Sequence, residues 1–207
     1  VLVSGRGSNM GALLDAAADP AFPVGFVLVL SNRPDAAALT VARAAGVATV
    51  AIDHRPFGAD RAAHEAAIDE ALRAAEIEII CLAGYMRRLT PFLVGRWARR
   101  MLNIHPSLLP SLPGLDTHER ALAAGLRLHG CTVHLVTETV DDGPILGQAA
   151  VPVLPGDTAD TLASRVLAAE HRLYPATLAA HVLGWQGRVP DATAALLNPL
   201  PLRATIP

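Results

Sequence analysis

Val1-Leu-Val-Ser-Gly-Arg-Gly-Ser-Asn-Met10 decides how the rest of the chain is read. Val1–Ser4 is a short apolar, β-branched run, and Met10–Ala18 is rich in Ala and Leu. A strand therefore passes into a helix through a glycine-bearing turn. Outward from this unit the pattern repeats. Val24–Ser31, Val47–Ile52 and Ile77–Ala83 read as near-continuously apolar strands, separated by the helix-favouring stretches Ala36–Ala45 and Asp60–Ala75. Asn9 and Asp35 are expected as N-caps of the first two helices, and Gly46 as the stop of the second. Met101–Ile104 follows as a further buried strand, and the Pro-rich segment His105–Gly114 cannot be regular structure. The alternation predicts an α/β fold, Rossmann-like, with a mostly parallel central sheet covered by helices on both faces.

The second half changes character. Cys131–Thr137 and Ile145–Val153 are apolar runs joined by the turn signal Val140-Asp-Asp-Gly-Pro144, and an antiparallel addition to the sheet is expected there. A long helix is expected from Thr158 to about Tyr174, its apolar positions Leu162, Val166, Ala169 and Leu173 falling at helical spacing. Pro175 should end or kink it. From Gly187 the Pro-rich tail reads as irregular. The chain shows no internal repeat or low-complexity linker, so a single domain over 1–207 is expected. Its halves are a phosphate-binding half (1–100) and a catalytic half (101–185), with 186–207 as the tail.

Composition narrows the function. The chain has 207 residues, 52% hydrophobic and 17% charged, which excludes a disordered segment. Its net charge of −2 offers no general attraction for nucleic acid or anionic lipid, so neither is expected as a partner. All 17 basic residues are Arg, which excludes a Schiff-base or phosphate-loop lysine within the chain. Cys81 and Cys131 stand far apart, which argues against a disulfide framework and for a reducing cytoplasm. The longest uncharged apolar stretch, Val24 to Leu30, is far short of the roughly 20 residues of a membrane span. No signal peptide is visible. The chain begins at Val1 inside an apparent strand, so residues upstream are expected. Small-molecule substrates and a monomer or homodimer are the expectation.

Three constellations carry chemistry. In Ser4-Gly-Arg-Gly-Ser-Asn9, glycines permit close backbone approach and the following helix offers N–H groups to an anion, so Gly7, Ser8 and Asn9 are candidates for gripping one phosphate. A dinucleotide site would need a third glycine where Met10 stands and an acidic residue after the second strand, which instead ends Ser31-Asn32-Arg33. Arg33 leaves an NADP-binding module as an alternative, and a ligand-free βα turn is another. Asn103 and His105 lie two residues apart at the C-terminal end of a strand, facing one side. An amide beside an imidazole can hold an oxyanion and move a proton, although both could merely satisfy loop backbone. Asp141 is the third piece, and a carboxylate near an imidazole favours the imidazolium. Periodicity alone reads it as a turn residue. His105, His118, His129 and His134 match no compact zinc spacing, and Ser107 has no nucleophile elbow around it. Arg61, a cation in the first turn of its helix, hints at an anionic partner. Glu170 borders the apolar stripe of the long helix, where a solvated edge is the plainer reading.

Together these residues are more specific than any one alone. The run Asn103-Ile-His-Pro-Ser-Leu-Leu-Pro-Ser-Leu-Pro-Gly114, with His129-Gly-Cys-Thr-Val-His134, Asp141-Asp-Gly-Pro-Ile145, Ser4–Asn9 and Ala83-Gly-Tyr-Met-Arg87, resembles the folate-dependent formyltransferases. It is most similar to the branch that formylates glycinamide ribonucleotide in purine synthesis, from residue 1 to about 185. The resemblance implies the formyltransferase fold, 10-formyltetrahydrofolate as co-substrate and no metal. It implies that Asn103 and His105 flank the formyl carbon and that Asp141 holds His105 protonated. Gly7, Ser8 and Asn9 would bind the ribose phosphate, and Glu170 would contact the nucleotide. Arg61, Leu82, Met86, Arg87, Arg88, Leu89, Asn103 and Val140 would line the folate site. Three positions depart from the family: Arg88 for an aliphatic residue, Asp116 for a His, and Asp142 for a Gly, the last expected to tighten the loop carrying Asp141. A formyltetrahydrofolate hydrolase shares the Asn-x-His core but resembles a chain without this phosphate loop. A methionyl-tRNA formyltransferase would need a further C-terminal domain and a basic surface.

Overall fold

β1 (Leu2–Val3) is only two residues long and fully buried. It pairs in parallel with β2 (Leu28–Ser31) on one side and β4 (Ile80–Leu82) on the other, Leu2 standing opposite both Leu30 and Leu82. β2 pairs in parallel with β3 (Ala48–Ala51), and β4 with β5 (Met101–His105). The chain thus builds outward through β2 and β3, then returns to lay β4 on the opposite side of β1. In open parallel sheets, such a reversal of strand order opens a crevice at the carboxyl ends of the strands.

The computed structural model describes residues 1–184 and 197–198. Its internal contacts group into two units, Val1–Asn103 with Val136–Glu138, and Ile104–Leu135 with the chain from Thr139 onward. The boundary falls inside β5. The first unit carries the parallel strands, α1 (Ser8–Ala16), α2 (Ala37–Ala44), α3 (Arg61–Ala74), α4 (Pro91–Arg96) and one 3-10 turn at Arg55–Phe57. Its core packs Leu2, Leu28, Leu30, Ile80 and Leu82 from the strands against Ile68 and Leu72 of α3 and Leu93 of α4. Burying each such Leu or Ile is worth about 1.5–3 kcal/mol. Asp69, nearly buried on α3, binds α4 and its C-terminal end: it accepts from the Trp97 indole at 3.0 Å and lies 2.9 Å from Arg96 and 3.0 Å from Arg73.

The second unit carries α5 (Thr117–Ala123), the antiparallel pair β6 (Leu128–Leu135) and β7 (Ile145–Pro152), and α6 (Ala159–Val182). Thr158 caps α6 in a reciprocal pair with Thr161, each side chain serving the other's backbone N–H. The expected irregular tail lies outside the described residues, apart from β8 (Leu197–Asn198), which runs antiparallel to β7.

The mostly parallel sheet and its antiparallel addition follow the sequence pattern, but several boundaries do not. β2 starts at Leu28 rather than Val24. Asn9 and Asp35 are not N-caps: α1 begins two residues earlier, at Ser8 behind Gly7, α2 begins behind Ala36, and Asp35 instead pairs with Arg33 at 2.9 Å. Gly46 takes φ +75° just past the last turn of α2 and donates its N–H to the Arg43 carbonyl, as a stop requires. Pro175 does not end α6, which runs on to Val182 with Pro175 buried inside it. Burial of the flanking Leu173, Tyr174 and Leu178 outweighs the hydrogen bond a proline removes.

Gly130 lies where β6 and β7 approach most closely: a Cβ there would stand 2.0 Å from the Ala149 carbonyl oxygen and 2.9 Å from a Leu108 methyl. Gly130→Ala is expected to cost about 3 kcal/mol or more, because the nearest atom is rigid ladder backbone. Urea denaturation checks this, with Gly25→Ala as the contrast, since nothing lies within 4 Å of a Cβ there and its φ is not left-handed.

Candidate functional site

The loops after β1 and β4 form the first cluster. Ser4, buried, donates its hydroxyl to Asn32 Oδ1 at 2.6 Å and accepts the Met86 N–H at 2.8 Å, while its own N–H reaches the Gly84 carbonyl. The glycine loop is thereby joined to the segment Gly84–Thr90. Beyond it, Gly7 has φ +79° and an added Cβ would stand 2.6 Å from the Ala38 Cβ, so glycine is required both by conformation and by the packing of α2. Ser8 is exposed in the first turn of α1, with Asn9 half-buried behind it. Gly7 gives that helix no side-chain cap, and its first turn holds no acidic residue.

The remaining candidates of the first unit lie at the start of α3, on β4 and in the segment after β4. Arg61 is exposed as the first residue of α3, behind the cap made by Asp60 Oδ1 on the Ala63 N–H. Leu82 is buried in the core and Leu89 packs against it. Met86 is 69% exposed, Arg88 is exposed and Arg87 half-buried, so Arg88 turns to solvent where the related pattern has an aliphatic residue.

β5 carries Asn103 and His105 two residues apart, on the same side of the strand. Asn103 stands opposite Leu82 in the β4 register. The second cluster is built on His105, which is almost fully buried. Its Nε2 lies 3.1 Å from the Leu112 carbonyl and its Nδ1 3.4 Å from Asp141 Oδ2. Both neighbours are acceptors only. The Asp141 carboxylate is 9% exposed, accepts the Gly114 N–H at 2.9 Å and sits 3.8 Å from His134 Nε2. Asp141 itself holds φ +57°, a left-handed conformation that Asp tolerates better than most residues. The left-handed residue of this loop is thus the carboxylate bearer itself, while its neighbour Asp142 stands outside the left-handed region.

The segment that follows His105 is held rigid. The Thr117 hydroxyl donates to the Pro106 carbonyl, Thr132 to Ser107, and Gln148 to Leu109, while Leu109 N–H returns to the Thr132 hydroxyl. Between Val133 and His134 the β6–β7 register slips by one residue, His134 standing opposite Ile145 rather than Leu146. This bulge aims His134 at Asp141. His134 is legible in the sequence as a failed zinc ligand and as the end of the run His129–His134 that carries the family resemblance; nothing in its spacing announces the bulge. Among the described residues, no group of three His, Cys, Asp or Glu could hold a metal ion.

Burial sets the protonation of the surrounding imidazoles. His134 is held below the ordinary imidazole value by desolvation, which outweighs the pull of Asp141. His118 and His129 contact each other, ring nitrogens 3.2 Å apart, and both are lowered by burial, His129 to about 4. Glu170 is buried rather than a solvated edge: it takes a place in the inward stripe of α6 with Leu162, Val166 and Leu173, near enough to raise the Cys131 thiol together with burial. Val140, beside Asp141, is 45% exposed.

Residues 1–178 match the family model described as Formyl transferase, and the chain belongs to that family. Within it, the chain is 43% identical over 175 residues to phosphoribosylglycinamide formyltransferase from Escherichia coli, covering 84% of this chain and 82% of that protein. The solved phosphoribosylglycinamide formyltransferase from Brucella melitensis superposes with a TM-score of 0.82 at 56% identity, covering 92% of this chain and 96% of that one. The chain is also 47% identical over 194 residues to the trifunctional purine biosynthetic protein adenosine-3 of Bos taurus; this spans 91% of the chain but only 19% of that much longer relative.

The His118–His129 pair gives a pH signature. The unfolded chain takes up protons near the free value of 6.5 while His129 resists until about 4. Stability contributed by the neutral pair is therefore complete above about pH 6.5 and falls as pH drops toward 4. Melting temperature recorded across that window should decline, and His129→Leu should flatten the decline. An equally steep slope in the variant would assign the pH dependence to other groups.

Proposed function

We propose that this chain transfers the formyl group of 10-formyltetrahydrofolate to the amine of glycinamide ribonucleotide, giving formylglycinamide ribonucleotide and tetrahydrofolate in purine biosynthesis. The observation that carries the reading is the contact of the His105 ring with Asp141 and Leu112, which supports a buried imidazolium two residues from Asn103. The neutral substrate amine attacks the formyl carbon. The Asn103 amide and the His105 imidazolium hold the oxyanion of the tetrahedral intermediate. A proton then passes from the former amine to the folate nitrogen, through His105 or a water held by Asp141, as the bond from carbon to that nitrogen breaks. The formyl group arrives activated, so the mechanism calls on no redox cofactor or metal.

In this reading the first turn of α1, with Gly7, Ser8 and Asn9, receives the ribose phosphate, and Glu170 contacts the nucleotide. Arg61, Leu82, Asn103, Val140 and the strip Met86–Leu89 serve the folate. Among the described residues no helix is long and apolar enough to cross a membrane. Cys81 and Cys131 are buried and form no disulfide, and a reducing cytoplasm is the proposed setting.

Formyl transfer is followed by the absorbance of released tetrahydrofolate, with and without glycinamide ribonucleotide. Release that depends on the nucleotide is expected; release that ignores it would make the protein a hydrolase. Asn103→Ala should lower kcat/KM by about 10²–10³, the usual loss for one oxyanion donor. A loss below about threefold would remove Asn103 from the mechanism. Asp141→Asn leaves the His105 imidazolium without its counter-charge, so the rate should fall by about 10² or more at neutral pH and recover in part as pH is lowered. A pH profile parallel to that of the parent protein would discard this role.

A further inference from the structure

Gly84–Thr90 is irregular backbone, yet it is tied at both ends to buried polar groups that the reaction leaves unused. At one end the Ser4 hydroxyl accepts the Met86 N–H at 2.8 Å and donates to Asn32 Oδ1 at 2.6 Å. At the other, the carboxylate of Glu65, 2% exposed on α3, accepts twice from Thr90, from its N–H at 2.8 Å and from its hydroxyl at 2.5 Å. Thr90 is the N-cap of α4 and makes no side-chain cap of its own. A carboxylate is costly to bury unless it is hydrogen-bonded. Here each of its oxygens is met by the same residue, at the head of a helix whose dipole favours negative charge.

We infer that Glu65 is a positioning residue for the folate co-substrate: through Thr90 it fixes the C-terminal end of the strip Met86–Leu89. This rests on the reading that the strip serves the folate. Glu65 lies one helical turn along α3 from Arg61, on the same side, so one helix supplies an exposed cation and the buried clamp behind the strip. Glu65 touches the strip's end residue and, through His64 beside it, the core of the unit: His64 Nε2 lies 2.9 Å from the Ile52 carbonyl. Ser4 holds the other end and also heads the glycine loop. The two anchors therefore have different reach. Releasing Thr90 loosens the folate strip alone, whereas releasing Met86 also frees the residue from which the phosphate loop springs.

Steady-state kinetics with glycinamide ribonucleotide and 10-formyltetrahydrofolate test this. Glu65→Gln keeps the shape and one acceptor but loses the charge. It should raise the folate KM about five- to twentyfold, about the loss of one ordinary hydrogen bond, while kcat and the nucleotide KM stay within about twofold. Thr90→Val, which removes only the hydroxyl bond, should give a smaller rise of the same kind, and Ser4→Ala should raise both KM values. An unchanged folate KM in both Glu65→Gln and Thr90→Val overturns the proposal. So does a fall in kcat with an equal rise in both KM values in Glu65→Gln, the mark of a general structural role. Amide hydrogen exchange in the parent protein separates this failure from that of the underlying reading. Protection of residues 86–89 by 10-formyltetrahydrofolate is expected, and its absence would mean that the strip does not serve the folate.

Discussion

The reversal of strand order at β1 is the constraint on which the first unit depends. Two residues, Leu2 and Val3, have to pair on both sides, and the loops leaving β1 and its neighbours are thereby brought to one end of the sheet. The glycine loop leaves β1 there and the Gly84–Thr90 segment leaves β4 beside it. A single hydroxyl, that of Ser4, is enough to join them because the strands have already set their separation. Short strands suffice when every residue is buried: Leu2, Val3, Leu30 and Ile80 are each no more than 1% exposed. The core thus supplies the rigidity, and the irregular segments inherit it.

The second unit sets several imidazoles in different surroundings. His118, His129 and His134 are pressed toward the neutral form by burial. His105 is as buried as they are, and it differs in the groups that face it: a carboxylate at one nitrogen and a carbonyl at the other. The carboxylate is itself fixed by the Gly114 N–H and by a left-handed backbone. Thr117, Thr132 and Gln148 hold the Pro-rich segment that runs between His105 and that N–H.

Much of this is legible in residue order. Alternating apolar runs give the parallel strands, and Asn103 and His105 are readable as a pair because two residues along a strand is one side of it. The family pattern, not periodicity, brings Asp141 to His105, since a turn signal says nothing about the group that lies across 36 residues of chain. Two short helices, α4 and α5, escape because Pro91 and the residues around Asp116 read as turn chemistry, whereas Pro91 opens a helix and Asp116 stands left-handed before one. Glu170 reads wrongly as an edge because a charged residue inside an apolar stripe looks like its border. The contacts of Glu65 are invisible for the opposite reason: a Glu on a helix is unexceptional until its partner, 25 residues later, is known.

The Gly7–Ala38 contact has a consequence for reading glycine-rich turns. At 2.6 Å from where a Cβ would sit, Ala38 fills the space that the missing side chain leaves, so the absent methyl is spoken for by a neighbouring helix rather than held open for a guest. Residues 7 and 38 therefore behave as a single lock. Enlarging either one means moving α2 outward, and the bulk at position 38 acts as a gauge of how far that helix stands off from the loop.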